Sequence, residues 1–213
     1  MEKRPWRTEF FQCFADQIRA SRSGPAVLEL GSGPGFLAEY LLAVNSTVHM
    51  VLLDFSKAMH DLARARVAKY LNRVSFLERS FKDPDWSMSI GTFDFVATNQ
   101  AVHELRHKRY AVVLHQQVRA ILTPNGRYLV CDHYAGEDGM HNTDLYMTIE
   151  EQQGALREAG YTSIVEIKRK GGMVLRSAAS SLVQAERRRQ ATRPGLVVRG
   201  TFSPARAWRP AVV

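Results

Sequence analysis

Ala26-Val27-Leu28-Glu29-Leu30-Gly31-Ser32-Gly33-Pro34-Gly35 is the stretch on which the reading of this chain turns. Its first five residues are mostly apolar and unbroken by polar alternation, the pattern of a short strand covered on both faces. Glycines at every second position then let the backbone turn sharply and bring bare N–H groups close to a ligand. Phe36-Leu37-Ala38-Glu39-Tyr40-Leu41-Leu42 follows with helical spacing, Phe36, Leu37, Tyr40 and Leu41 sharing one face. A strand, a glycine turn and a helix N-terminus make a nucleotide-type site at the mouth of an α/β sheet.

Gly31, Gly33 and Gly35 form G-x-G-x-G, whereas a dinucleotide loop needs G-x-G-x-x-G to aim the helix at a pyrophosphate. The acid Glu29, two residues before the first glycine, suits a cationic ligand better than a phosphate. Glu29-x-Gly31-x-Gly33-x-Gly35 resembles motif I of the class I S-adenosylmethionine-dependent methyltransferases. That resemblance implies a cofactor bearing a sulfonium and an amino group. Glu29 would serve its methionine end, and Gly31, Ser32, Gly33 and Gly35 would line its close approach.

Length and composition fit this frame. The 213 residues make one domain with an appendage, and 45% hydrophobic content is ordinary for a globular protein. No run reaches the ~18 apolar residues that span a bilayer, and Met1-Glu2-Lys3-Arg4-Pro5-Trp6 leads into no apolar core. The expectation is a cytoplasmic chain with no membrane partner. Cys13 and Cys131 stand far apart without a C-x-x-C pair, which argues for two free thiols. The net charge of +8 resides mostly in the tail. Residues 177–213 carry seven arginines and one glutamate, leaving 22 basic and 20 acidic groups in the body. With no lysine and only Phe202 and Trp208 to stack on bases, that tail is a poor nucleic-acid arm. The domain reading is an N-terminal helix or lid over 1–24, the core over 25–177, and a basic, disordered tail over 178–213.

Arg7 to Ala20 has the spacing of a helix, Phe10, Phe11, Phe14 and Ile18 facing one way. It either packs on the sheet or covers the ligand with its aromatics. A second strand, Val48 to Leu53, ends in Asp54, whose two acceptor oxygens suit a ribose diol. Phe55 follows, and Ser56 is placed to cap a helix over Lys57 to Lys69. Strand three, Arg73 to Leu77, leads to Ser80 and Phe81. Members of the resembled family commonly place an acid at the position of Ser80 to receive the adenine amino group. The hydroxyl of Ser80 and the backbone and ring edge of Phe81 stand in for it.

Strand four, Phe93 to Thr98, runs into Asn99-Gln100-Ala101-Val102-His103-Glu104-Leu105. It lies where the resemblance puts motif IV, beside the reactive methyl, and Asn99 would meet the methionine portion through its carbonyl. No Asp/Asn-Pro-Pro-aromatic tetrapeptide is present, which disfavours methylation of nucleic acid or glutamine nitrogen. His103 is the candidate general base, since an imidazole titrates near operating pH. Glu104 is its neighbour in sequence, but adjacent helical residues diverge by about 100° and need not form a dyad.

Arg106 to Leu122 has the pattern of one helix stopped at Thr123-Pro124-Asn125-Gly126, before a fifth strand, Arg127 to Cys131. Asp132, His133 and Tyr134 then emerge at the carboxyl edge. No pair of acids or histidines there has helical metal spacing, so no metal is expected. Thr148 and Glu151 form a capping box for a helix ending at Ala159 and Gly160. Tyr161 to Ile167 and Met173 to Arg176 make a hairpin about Lys168 to Gly172. The expected fold is α/β, a Rossmann-like seven-stranded sheet, mostly parallel with an antiparallel C-terminal hairpin strand and helices on both faces. The resemblance implies S-adenosyl-L-methionine as cofactor and transfer of its methyl to a small-molecule acceptor. The alternative is a non-catalytic S-adenosylmethionine-binding protein of the same fold; a nicotinamide enzyme is disfavoured by the glycine spacing and the terminal hairpin.

Overall fold

In the computed structural model, residues 6–20 and 24–180 are described. The predicted tail from 181 lies outside them, as do residues 1–5 and 21–23. One sheet of seven strands organises the chain, in the order β3-β2-β1-β4-β5-β7-β6. β1 (Ala26–Leu30), β2 (His49–Asp54), β3 (Val74–Glu78), β4 (Phe93–Asn99) and β5 (Leu122–His133) run parallel. β7 (Met173–Ala179) pairs antiparallel with β5 and with β6 (Ser163–Lys170). The chain builds outward from β1 to β3, then returns to the other side of β1 with β4. Strand order reverses between β1 and β4, and ligands of such sheets bind at the carboxyl ends beside that reversal.

Helices cover both faces, as the sequence predicts. α1 (Arg7–Arg19), α2 (Phe36–Val44) and α3 (Lys57–Arg66) bury one face with Phe10, Phe14, Leu37, Leu41 and Ala63 against Val27, Met50, Leu52, Phe95 and Leu129. α4 (Ala111–Ala120) and α5 (Ile149–Glu158) bury the other with Leu114, Val118 and Leu156 against Leu28, Leu30, Val96 and Tyr128. The aromatics of α1 thus go into the core: Phe14 is wholly buried, and a Phe→Ala change at such a site costs about 3–5 kcal/mol. Trp6 closes on the β6–β7 hairpin, where a Cβ on Gly171 would lie 2.7 Å from its Cε2. Glu9 completes the clamp with Lys168 at 2.7 Å and Lys170 at 2.6 Å. No helix among the described residues is long and apolar enough to cross a membrane.

Several element boundaries differ from expectation, each for a local reason. The helix read from Arg106 to Leu122 is broken. Residues Val102–Leu105 form a 3-10 turn that ends where Arg106 takes a left-handed φ of 68°. His107 then caps a second short turn through its Nδ1 before α4 begins at Ala111. Thr123-Pro124-Asn125-Gly126 is no free turn between elements but a bulge inside β5, with Phe93 opposite Leu122 and Phe95 opposite Arg127. The chain folds so tightly there that a Cβ on Gly126 would meet Phe93 and Thr123 backbone at 3.0 Å. α3 stops at Arg66, and Ala68–Arg73 winds as a 3-10 helix instead of extending it. β6 runs to Lys170 and β7 to Ala179, so the hairpin turn shrinks to Gly171 and Gly172, both at positive φ. Ser56 caps α3 through Met59 N–H, and the Thr148–Glu151 capping box is complete.

Candidate functional site

The carboxyl ends of β1, β2, β3 and β4 converge on an open cleft of roughly 430 Å³. Its walls are Gly31, Asp54, Phe55, Ser80, Phe81, Lys82, Gln100, Ala101 and Glu104. Five of these residues, Gly31, Asp54, Phe55, Ser80 and Phe81, are among those singled out in the sequence.

The three glycines do different things. Gly31 has φ 64°, and a Cβ there would stand 2.7 Å from the Ala101 methyl and 3.4 Å from the Phe81 ring. Only a bare Cα lets the β1 and β4 ends close over one another at the cleft floor. Gly35, the residue before α2, would press a Cβ onto Ala63 at 3.1 Å, so it serves helix packing. A Cβ on Gly33 would meet nothing within 4 Å, and its N–H donates to Asp54 Oδ2 at 2.9 Å. The other oxygen of Asp54 accepts from Ser56 N–H at 2.9 Å. Asp54 therefore stitches the glycine loop to the end of β2. A carboxylate oxygen accepts more than one hydrogen bond, so both stay available to a ligand diol.

Glu29 is 3% exposed, and its Oε2 has no hydrogen-bond partner among the described residues. Burial, then the charge of Asp54, push its carboxyl up to about 8, and Arg7 opposes them. An acid held neutral in a dry place is poised to ionise when a cation arrives. Ser32 donates its backbone N–H to Leu53 O at 3.0 Å, and its buried hydroxyl is unpartnered among the described residues. Phe55 stands 69% exposed at the rim, an uncovered apolar wall. Ser80 Oγ accepts from Lys82 N–H at 3.2 Å.

On the β4 side the structure rearranges the expected assignments. Asn99 ends β4 opposite Cys131 and does not line the cleft; Gln100 and Ala101 do. Gln100 adopts φ 60°, costly for a residue with a side chain, and its N–H is tied to Cys131 O at 2.8 Å. Glutamine gives no sequence signal for that conformation, which hid Gln100 from the sequence reading.

His103 lies just behind the cleft wall with its side chain 17% exposed. Its Nδ1 is 2.7 Å from Asp132 Oδ1, and its backbone N–H donates to Asp132 Oδ2 at 3.0 Å. Asp132, at the end of the neighbouring strand β5, thus fixes both the ring and the chain of His103. Burial works to lower the His103 pKa, but Asp132 and then Glu104 outweigh it and hold it above the ordinary value. Glu104 Oε1 is 3.6 Å from the other ring nitrogen, Nε2. His133 and Tyr146 close the apolar side, their ring centres 6.0 Å and 5.3 Å from that of His103. His133 is set in turn by α5, where Gln152 donates to its carbonyl at 2.8 Å and accepts from the buried Arg176 at 2.5 Å. The partnership of His103 with Asp132 escaped the sequence because the two are far apart in the chain. Their shared position, at or just past the carboxyl ends of adjacent parallel strands, was the available signal. Among the described residues no group of three or more His, Cys, Asp or Glu can hold a metal ion.

Residues 27–126 match the model of a family described as a methyltransferase domain. No curated protein matches the chain significantly. Among solved structures, an O-methyltransferase family protein from Burkholderia thailandensis is 19% identical with a TM-score of 0.67. The alignment covers 81% of this chain and 56% of that one. The CurJ carbon methyltransferase is 15% identical with a TM-score of 0.67, over 82% of this chain and 54% of its own. PigF with SAH is 17% identical with a TM-score of 0.66, over 80% of this chain and 55% of its own. The chain therefore spans little more than half the length of these three. Over residues 27–126 the chain is thus similar to the methyltransferase-domain family, and its sheet shares the fold of these methyltransferase structures.

Proposed function

We propose that this protein transfers a methyl group from S-adenosylmethionine to a small-molecule acceptor, with His103 as general base. The residues present fit the cofactor. The buried, unpartnered Glu29 Oε2 suits its cationic amino group, and the bare Cα of Gly31 leaves room that a side chain would fill. When bound, the cofactor supplies an electrophilic methyl on a sulfonium.

The chain does the rest by binding and alignment, which alone can remove about 7–11 kcal/mol from a two-body barrier. Glu29, with Gln100, serves the methionine end, within the loop of Gly31, Ser32, Gly33 and Gly35. Asp54 takes the ribose diol, Ser80 and Phe81 the adenine edge, and Phe55 its face. Asp132 accepts from His103 Nδ1–H, which leaves Nε2 bare in the neutral ring and fixes the tautomer a base requires. Nε2 then takes the proton of an acceptor hydroxyl.

The observation that carries this reading is the His103–Asp132 pair set beside the Gly31–Ala101 floor. The recessed ring of His103 favours a small acceptor over a macromolecular one. Calorimetric titration of S-adenosylhomocysteine tests it, with expected micromolar binding that is lost in Asp54→Ala. Binding of NAD in its place refutes the reading. Cofactor binding without transfer to any of a broad set of hydroxylated small molecules favours the non-catalytic alternative.

A further inference from the structure

Behind Asp132, on the side of the sheet that α4 covers, three side chains carry polar atoms into the core and leave them unpaired. Thr98 of β4 is 1% exposed, His115 of α4 is 2% exposed and Tyr128 of β5 is wholly buried. Thr98 Oγ1, His115 Nδ1 and the Tyr128 hydroxyl have no hydrogen-bond partner among the described residues. The sheet register sets them together. Thr98 stands opposite Val130, and Tyr128 and Asp132 lie on either side of Val130 on the same face of β5. The ring centres of His115 and Tyr128 are 5.5 Å apart, and Tyr161 holds α4 in place by donating to His115 O at 3.2 Å. The charge of Asp132 reaches both rings. It opposes the burial that pulls His115 down to about 4, and adds to the burial that pushes the Tyr128 phenol up. The Thr98 hydroxyl lies close enough to Tyr128 to oppose that rise.

A buried polar atom without a partner is costly, and three in one layer call for a small guest that both donates and accepts. Building on the methyl-transfer reading above, we infer that Thr98, Tyr128 and His115 hold ordered water behind Asp132 and are positioning residues for the His103–Asp132 pair. A buried water makes about three hydrogen bonds, and two hydroxyls and an imidazole nitrogen supply them. Asp132 has accepting capacity to spare. Its Oδ1 takes His103 Nδ1–H and His133 N–H, whereas Oδ2 takes only His103 N–H. A carboxylate has about four lone-pair sites, so water held by Thr98 and Tyr128 donates to the remaining one on Oδ2. That bond draws charge from the carboxylate and keeps it from turning away from His103.

The test begins with a high-resolution crystal structure of the full chain, which should show ordered water bonded to Thr98 Oγ1, the Tyr128 hydroxyl and Asp132. Tyr128→Phe and Thr98→Val keep the shape of each side chain but strip a partner from that water. Each should lower the melting temperature by about 2–4 °C. A hydroxyl with no guest would behave in the opposite way, since an apolar group of its shape relieves the cost of burying it. NMR titration of the His103 ring in the ligand-free protein reads the positioning role. Asp132, Glu104, Arg106, His133 and Tyr146 face that ring, and both variants keep all five. With a donor removed, the more concentrated charge on Asp132 should raise the pH at which His103 titrates by roughly 0.5. Direct bonding of Thr98 to Tyr128 with no water beside them, a higher melting temperature in either variant, or an unmoved His103 titration in the folded variants overturns the inference. Those results leave the cofactor reading standing as long as wild type binds S-adenosylhomocysteine. Failure of that binding removes the transfer reading, and with it the role given to the three residues.

Discussion

Glu29 ties the site to pH. Its carboxyl lies near 8 in the folded protein against an ordinary value of 4.5, so folding must keep a proton that the unfolded chain releases. The contribution to stability is therefore full below about 4.5 and is lost as pH rises through about 8. Glu29→Gln should flatten that part of the melting-temperature profile of the ligand-free protein; an unchanged slope between pH 5 and 8 would count against the buried acid. A cationic amino group arriving beside Glu29 reverses its preference. Binding of S-adenosylhomocysteine near neutral pH should thus release about one proton. Titration in two buffers of different ionisation enthalpy reads this directly, and the release should disappear in Glu29→Gln. Asp132 makes a second prediction. It accepts from His103 N–H and His133 N–H and pairs with the His103 ring, so Asn in its place must lose one acceptor. Asp132→Asn should slow methyl transfer by roughly 10²–10⁴-fold while cofactor affinity holds. Because Asp132 raises the His103 pKa, the acid limb of the wild-type rate profile should sit above pH 6.5 and move down in the variant. An acid limb that stays put would exclude His103 as the group titrating.

Single elements separate binding from folding in the glycine loop. Gly31→Ala drives a methyl into Ala101 at the cleft floor, so it should weaken S-adenosylhomocysteine more than tenfold, by about 1–2 kcal/mol of left-handed strain plus the clash. Gly35→Ala presses α2 onto α3 instead and should lower the melting temperature first. Swapped outcomes would reverse the roles given to the two glycines. The N-terminal helix offers a different test. Glu9, held by Lys168 and Lys170, is exposed, so Glu9→Ala or high salt should speed hydrogen exchange in α1 and leave the β-sheet unaffected. Equal exchange in wild type and variant would place the whole clamp on Trp6 and the buried phenylalanines. Elements like these were legible where one force dominates. β1 through Gly35, the Ser56 cap and the Thr148 box could be read because apolar runs, glycine and capping chemistry act within a few residues. The break at Arg106 could not. It arises from Asp132 pulling on His103 N–H across to another strand, and from His107 capping itself afresh.

At the scale of the molecule, seven strands and two helical layers follow from alternating apolar runs, and the positions of Asp54, Ser80 and Phe81 at strand ends follow with them. The β4 side of the cleft was less legible. Gln100 rather than Asn99 forms its wall, because a one-residue change of backbone hand at the strand end decides which side chain faces the ligand. Trp86 shows the same limit in the core: 1% exposed within an irregular loop, it is fixed by Gln117 Oε1 at 2.8 Å, a partner far along the chain. The sheet order has a consequence for the birth of the protein. β1 is central, yet only its β2 edge can be paired while the first three strands leave the ribosome. Its other edge, Val27 to Leu30, waits for Phe95 to Thr98, and then for β5 to cover β4 in turn. An apolar strand with open N–H and C=O groups is a template for a neighbouring chain. The nascent protein therefore passes through an interval of stickiness, which closes only when β4 slots in beside the glycine loop and creates the ligand cleft in the same stroke.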